Sequence, residues 1–125
     1  MTSNRDFQVL QHMYNYCRQI LMTKERLKMT EASLQEDFLQ QNAVSMPMLS
    51  IGELAKQALS ESFRDAHTEI PWRALAGMRN RFAHDYGNMD FSVIWDTMEH
   101  DVPVLLEFCK EILMHEGVFE EYPLE

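Results

Sequence analysis

Only four glycines and four prolines punctuate the 125 residues. Strand-rich folds need many turns, and turns draw on those two residues. Their scarcity argues against a β-rich chain and for helices joined by few loops. Cysteine is scarce as well. Cys17 and Cys109 form no Cys-x-x-Cys pair and no zinc spacing with a histidine. Each falls on an apolar helical stripe, which reads as two buried free thiols in a reducing compartment. No apolar run approaches the ~20 residues that a membrane helix needs. Arg5 and Asp6 interrupt the N-terminus before any signal-like segment. The expectation is a soluble, cytoplasmic protein without a membrane partner. Positive charge is also short, with 11 Lys and Arg against 20 Asp and Glu and a formal net charge of −9. Such a protein repels nucleic acid unless cations are gathered locally, which excludes a broad nucleic-acid-coating role.

What remains suits one ordinary helical domain. Hydrophobic residues make up 46 % and charged residues 25 %, and ten methionines fit helix propensity and adaptable packing. Phe7, Leu10, Tyr14, Cys17 and Leu21 recur three and four apart, which predicts a helix from about Asn4 to Lys28. Thr30 with Glu31 and Gln35 suggests a second start, with Phe38, Leu39 and Ala43 as its apolar side. Pro47 either opens a new helix capped by Ser45 or kinks a continuous one. Met48, Ile51, Ala55 and Ala58 form the next stripe. Gly52 within it marks close approach of a neighbouring helix or ligand. Residues 60–70 are polar and read as a loop. Pro71 opens a helix with the stripe Trp72, Leu75, Met78 and Phe82, which ends near His84 before the stop signals Gly87 and Asn88. Asp90 caps a last helix carrying Phe91, Ile94, Met98, Val102, Leu105, Cys109 and Ile112, which Pro103 should bend or break. The sum is an all-α, four- to five-helix bundle. One domain spans residues 1–115, followed by a loosely held acidic tail over residues 116–125.

A bundle alone says nothing of function. The informative segment runs from Trp72 to Tyr86. It sets Arg73, Arg79 and Arg81 against the single acid Asp85, a local cationic patch beside a histidine in an otherwise acidic chain. Phosphate binding needs positive charge at one place, not everywhere. Asn80 and His84 are four apart and share a helix face, so Asn80 can hydrogen-bond the imidazole and set its tautomer. Arg79 and His84 are five apart, about 140° on a regular helix, so they diverge. They can meet on one phosphate only if His84 sits where the helix unwinds or if the site is shared across a dimer. The other histidines, His12, His67, His100 and His115, stand in no motif.

Arg79-Asn80-Arg81-Phe82-Ala83-His84-Asp85-Tyr86 resembles the signature of HEPN proteins of the HepT type: an Arg, four residues, a His, one residue and a Tyr. The resemblance extends along most of the chain. Arg5-Asp6, Ile51-Gly52-Glu53-Leu54-Ala55-Lys56, Ile70-Pro71-Trp72, Val93-Ile94-Trp95 and Val102-Pro103 fit the family in order and spacing. The departure is Ser45-Met46-Pro47-Met48, where family members usually carry a helix with a basic residue and no proline.

This resemblance implies a HEPN-type bundle and a metal-independent endoribonuclease toxin, working as a homodimer in which two signature helices face each other. His84 would then be the general base or acid at the ribose 2′-hydroxyl or the leaving oxygen. An imidazole changes charge near neutrality, which suits that task. Arg79 would hold the scissile phosphate and stabilise its developing charge. Asn80 would orient His84, and Tyr86 would line the cleft. Glu53 would border the cleft or pair on the helix surface with Lys56. No cofactor is implied, and the products would be a 2′,3′-cyclic phosphate and a 5′-hydroxyl. The implied partners are RNA as substrate and a minimal nucleotidyltransferase antitoxin that transfers AMP to Tyr86. The competing reading is a non-catalytic interaction module that binds, or is modified by, a nucleotidyltransferase.

Overall fold

A computed structural model describes residues 2–84 and 86–124. The elements are α1 (Asn4–Arg26), α2 (Glu31–Glu36), α3 (Phe38–Glu53), α4 (Glu61–Ala66), α5 (Trp72–His84), α6 (Phe91–Asp96) and α7 (Val102–His115). A π-helical turn, Leu54–Ala58, extends α3, and a second, Thr97–Asp101, joins α6 to α7 in one rod. Four long helical rods therefore carry the fold, with α2 and α4 as short connectors. No strand occurs among the described residues, and no helix is long and apolar enough to cross a membrane.

The predicted stripes form the core. Leu10, Tyr14 and Cys17 of α1 are buried, joined by Val9, Met13 and Ile20. So are Phe91, Ile94, Met98, Val102, Leu105 and Cys109 along α6–α7. Burial raises both thiols, which leaves Cys17 and Cys109 free and unreactive. α1 packs on α3 and α7, and α3 packs on α5. The signature helix thus has α3 and its π turn as its main neighbours, which leaves its outer side uncovered.

Three expectations need correction. Residues 60–70 are not all loop, because Ser60 caps the single-turn helix α4, whose Phe63 is buried. Phe38 and Leu39 do not face inward; they are 67 % and 64 % exposed, and Leu34, Val44 and Met48 fill the core instead. The acidic end is not loose. Gln11 donates to the Glu120 carbonyl at 2.7 Å and accepts from its N–H at 3.0 Å, and Tyr14 donates to Glu121 at 2.8 Å. Phe119 packs edge-on against Tyr14, so an apolar anchor adds to these bonds.

Both prolines are accommodated within continuous rods. Pro47 lies inside α3, which leaves the Ala43 carbonyl without its helical donor. Ala43 is exposed, so water can satisfy it. Pro103 falls in the first turn of α7, directly after the π turn. The Val102 N–H reaches back to the Thr97 carbonyl, so the ladder is already widened just before the residue that has no N–H to give.

Asp6 is the buried carboxylate of this core, 1 % exposed. It completes a capping box with Ser3 and accepts from the Ser60 N–H at 2.8 Å and the Ser60 hydroxyl at 2.7 Å. One side chain thereby ties the start of α1 to the start of α4. Burial alone would raise the Asp6 carboxyl, but the Ser60 and Ser3 hydrogen bonds outweigh it and hold it below the ordinary carboxylate value. Asp6→Ala should cost about 2–4 kcal/mol in urea unfolding. The pH dependence follows from the lowered value. The stabilisation is complete above the unfolded-state carboxylate value, about 3.9, and is lost as pH falls through the lower folded value. The gap in stability between the native chain and Asp6→Asn should therefore narrow at acid pH. A gap of constant size from neutral pH down would contradict this role.

Candidate active site

The inward stripe of α5 fixes its rotation. Trp72, Leu75, Met78 and Phe82 are buried, and the Trp72 indole N–H anchors the helix start by donating to the His67 carbonyl at 2.8 Å. The opposite face presents Arg73, Gly77, Asn80 and His84. A Cβ built on Gly77 would meet nothing within 4 Å, so this face is open and narrow in profile.

Arg79 lies on the flank of α5 turned toward α3. Its Nε donates to Glu53 Oε2 at 2.9 Å, and its Nη1 approaches Asn80 Oδ1 at 3.4 Å. Glu53 thus pairs with Arg79, a partner that neither of its two expected settings named. The neighbouring Gly52 makes this contact possible. A Cβ there would lie 2.8 Å from both the Arg79 amide nitrogen and the Leu75 carbonyl oxygen, so the helices cross at backbone contact. The Arg79 and Glu53 side chains are 30 % and 43 % exposed. An ion pair so open to water contributes under about 1 kcal/mol, so its consequence is positional. With Nε occupied and Nη1 held only at 3.4 Å by Asn80, the Nη edge of the guanidinium can donate two hydrogen bonds to a pair of anionic oxygens, as on a phosphate.

His84 is the last residue of α5 and is exposed, with no hydrogen-bond partner among the described residues. Asn80 shares its face, as the spacing predicts. The expected Asn80–His84 bond is not among those of the described residues, and Asn80 Oδ1 takes its bond from Arg79. Because α5 stays helical through His84, the divergence of about 140° from Arg79 stands. Arg79 is tied toward α3 while His84 faces solvent. The two do not converge within one chain.

Tyr86 opens a 3-10 turn, Tyr86–Asn88. Its hydroxyl donates to Asn42 Oδ1 at 2.5 Å and lies 3.2 Å from Ser45 Oγ. Its ring sits between Phe82 and Phe91, each 6.2 Å away. An open cavity of about 360 Å³ adjoins it, lined in part by Gln41, Gly87 and Asp90. Asn42 and Ser45 escaped the sequence reading, since the contact spans more than forty residues and follows no local spacing. Asp85 lies outside the described residues. Among the described residues no three His, Cys, Asp or Glu side chains cluster in a way that could hold a metal ion.

A family model described as "Ribonuclease HepT-like" matches residues 13–112. A protein of Caldanaerobacter subterraneus subsp. tengcongensis, named "Putative RNase", is 32 % identical over 86 % of this chain and 93 % of its own length. A "Probable ribonuclease HepT" of Thermococcus cleftensis is 40 % identical over 56 % of this chain and 66 % of its own. A third relative, another "Putative RNase" from Methanocaldococcus jannaschii, is 31 % identical over 66 % of this chain and 71 % of its own. No solved structure matches. The all-α architecture and a family match over most of the length agree, and the chain belongs to the HepT-like ribonucleases.

Proposed function

We propose that this protein is a metal-independent endoribonuclease toxin whose site is composed across a homodimer from Arg79 of one protomer and His84 of the other. The observation that carries the reading is the geometry of α5. Arg79 is tied by Glu53 to the α3 flank, while His84 and Asn80 stand on an open outer face with Gly77 beneath any approaching helix. Two such faces meeting about a two-fold axis bring each His84 toward the partner's arginine flank. Phe38, Leu39 and Met46 of α3, each more than 60 % exposed, supply apolar surface for that contact beside Tyr86.

The chemistry follows from the groups. Arg79 grips the scissile phosphate through its Nη edge and stabilises charge gathering on the non-bridging oxygens. His84 removes the proton of the neighbouring 2′-hydroxyl, whose oxygen attacks phosphorus. The P–O5′ bond breaks and the 5′ oxygen leaves as a hydroxyl on taking a proton from water, to which the protonated His84 returns its own, with the 2′,3′-cyclic phosphate as the other product. The nucleophile belongs to the RNA, so no activated water is required. Asn80 turns from Arg79 to the imidazole when the phosphate takes its place, and Glu53 keeps the arginine aligned.

Control falls to Tyr86. A partner nucleotidyltransferase transfers AMP from ATP to its hydroxyl, the Tyr86 oxygen bonding to the α-phosphorus as pyrophosphate leaves, and the bulk and negative charge of the adenylate beside Arg79 and His84 exclude an RNA phosphate. The open cavity next to Tyr86 gives the adenylate room. Incubation with ATP, Mg²⁺ and such an enzyme is expected to add the mass of one adenylate to the native chain and none to Tyr86→Phe. Addition to the Phe variant would move the modification elsewhere.

The test of the activity is cleavage of total RNA by the purified protein in EDTA, with Arg79→Ala and Glu53→Gln alongside. Cleavage by the native chain, strong loss in Arg79→Ala and a partial loss of about tenfold in Glu53→Gln are expected, since Glu53 acts through the arginine. Absence of cleavage by folded protein with unmodified Tyr86 would favour the partner-module reading.

A further inference from the structure

The turn after the signature helix is fastened to α3 through one side chain. The Tyr86 hydroxyl donates to Asn42 Oδ1 at 2.5 Å. Ser45 Oγ lies 3.2 Å from the same hydroxyl, but its own proton goes to the Gln41 carbonyl at 2.5 Å, inside α3. Asn42 is therefore the partner that takes the phenolic proton. Among the described residues no other side-chain hydrogen bond joins Tyr86–Asn88 to a neighbouring element. The Met89 N–H bonds back to the Tyr86 carbonyl at 3.3 Å, which closes the turn only on itself.

Two things depend on this fastening. His84 ends α5 two residues before Tyr86, is exposed and has no hydrogen-bond partner of its own among the described residues. Two residues of chain span at most about 7 Å, so whatever holds Tyr86 limits the range of the imidazole. Asn42 also stands four residues from both Phe38 and Met46, so the three share one outer stripe of α3. Phe38 and Met46 are 67 % and 65 % exposed. The bond thus ties the histidine's turn to the apolar surface proposed for the contact between protomers.

We infer that Asn42 is a positioning residue for RNA cleavage: through the Tyr86 hydroxyl it pins the turn that follows His84 to α3. The inference rests on the ribonuclease reading for its effect on cleavage, but not for the pin itself. It also adds a second means of control at Tyr86. The pin needs the phenolic proton. Transfer of AMP to the Tyr86 oxygen puts phosphorus in place of that proton and leaves an ester oxygen with nothing to donate to Asn42 Oδ1. The bond is then lost whatever the bulk and charge of the adenylate, and the turn is freed from α3.

Tyr86→Phe removes the phenolic proton and keeps a ring between Phe82 and Phe91, so it opens the pin without added charge or bulk. Cleavage of a short RNA is measured for Tyr86→Phe, Asn42→Ala, the double variant and Asn42→Asp, whose carboxylate still accepts the phenolic proton. An exposed hydrogen bond sets the scale. In each of the first two variants kcat should fall about three- to tenfold while KM stays within about twofold, since Arg79 keeps its grip on the phosphate. The double variant should fall no further than either single one. Asn42→Asp should recover most of the loss in kcat; a rise in KM from its charge is a separate effect. Hydrogen exchange at the Met89 amide, read by NMR, should quicken in Tyr86→Phe and Asn42→Ala and recover in Asn42→Asp. Losses that multiply in the double variant would overturn the inference, as would an Asn42→Asp variant as slow as Asn42→Ala. Unchanged kcat with quickened exchange leaves the pin and defeats its role in cleavage. A native chain that cuts no RNA defeats the ribonuclease reading and, with it, that role, and the exchange rates alone then decide whether the pin exists.

Discussion

His84→Ala is expected to reduce RNA cleavage by about 100- to 10,000-fold, the range that a positioned proton-transfer group contributes. The same change should barely alter folding. His84 is exposed and bonded to nothing among the described residues, so its truncation belongs with surface substitutions worth within about 0.5 kcal/mol. That separation of activity from stability is what a group acting on substrate predicts. Urea unfolding beside a cleavage time course measures both. Unchanged cleavage would remove His84 from the chemistry. Cleavage lost together with several kcal/mol of stability would make the residue structural.

Gly52→Leu should be the most damaging single change outside the reacting groups. Even the first side-chain carbon would stand 2.8 Å from the Arg79 amide nitrogen and the Leu75 carbonyl oxygen, both backbone atoms that cannot swing aside. α3 and α5 must separate, which opens the core around Ile51, Leu75 and Met78 and draws Glu53 from Arg79. Overpacking of this kind costs about 1–3 kcal/mol for smaller insertions, and a leucine at backbone contact should exceed it. Gly52→Ala is the finer probe. Its gain in helix propensity, about 1 kcal/mol, opposes the clash, so a net loss of stability locates the effect in the helix contact and not in the helix itself. Thermal melts of both variants decide the matter. An alanine variant more stable than the parent would mean that α3 and α5 do not need to touch.

The long helices were legible because each buries one stripe, and the period of that stripe is written into α1, α5 and α6–α7. Gly52 was legible for a related reason: a glycine within an apolar helix stripe has few uses besides close approach. Asp90 and Thr30 announced their helices as caps, and both accept the backbone bonds expected of them. Short or interrupted segments were not legible. α4 buries only Phe63, too little to produce a period. Phe38 and Leu39 look like core residues in a sequence, yet Asp37 breaks the backbone and caps a new helix there, which rotates both outward. The two π turns shift the phase of the rods without changing their apolar character. Pro103 pointed to a disturbance, but the pattern did not distinguish a break from a widened turn.

The site divided along the same line. Arg79, Asn80, His84 and Tyr86 came from a contiguous motif, and their divergence followed from helix geometry alone. What holds them did not. Glu53 read as bordering a cleft or pairing with Lys56, and the crossing of α3 over α5 sets it on Arg79. Asn42 and Ser45, which hold the Tyr86 hydroxyl, come from across the fold. The tail read as acidic and therefore solvated, while Gln11, Tyr14 and Arg18 of α1 provide a bonding partner for its backbone and carboxylates.

The central claim is that each site joins the arginine of one protomer to the histidine of the other, and mixing two inactive variants tests it most directly. Arg79→Ala and His84→Ala are purified separately, unfolded together in equal amounts and refolded. In a mixed dimer one site then holds both native residues and the other holds neither. Statistical pairing makes half of the dimers mixed, so cleavage should return to roughly a quarter of the native rate. If Arg79 and His84 of the same chain form the site, every mixed dimer lacks an intact one. Cleavage would then stay at the level of the single variants, and the composite site would be contradicted.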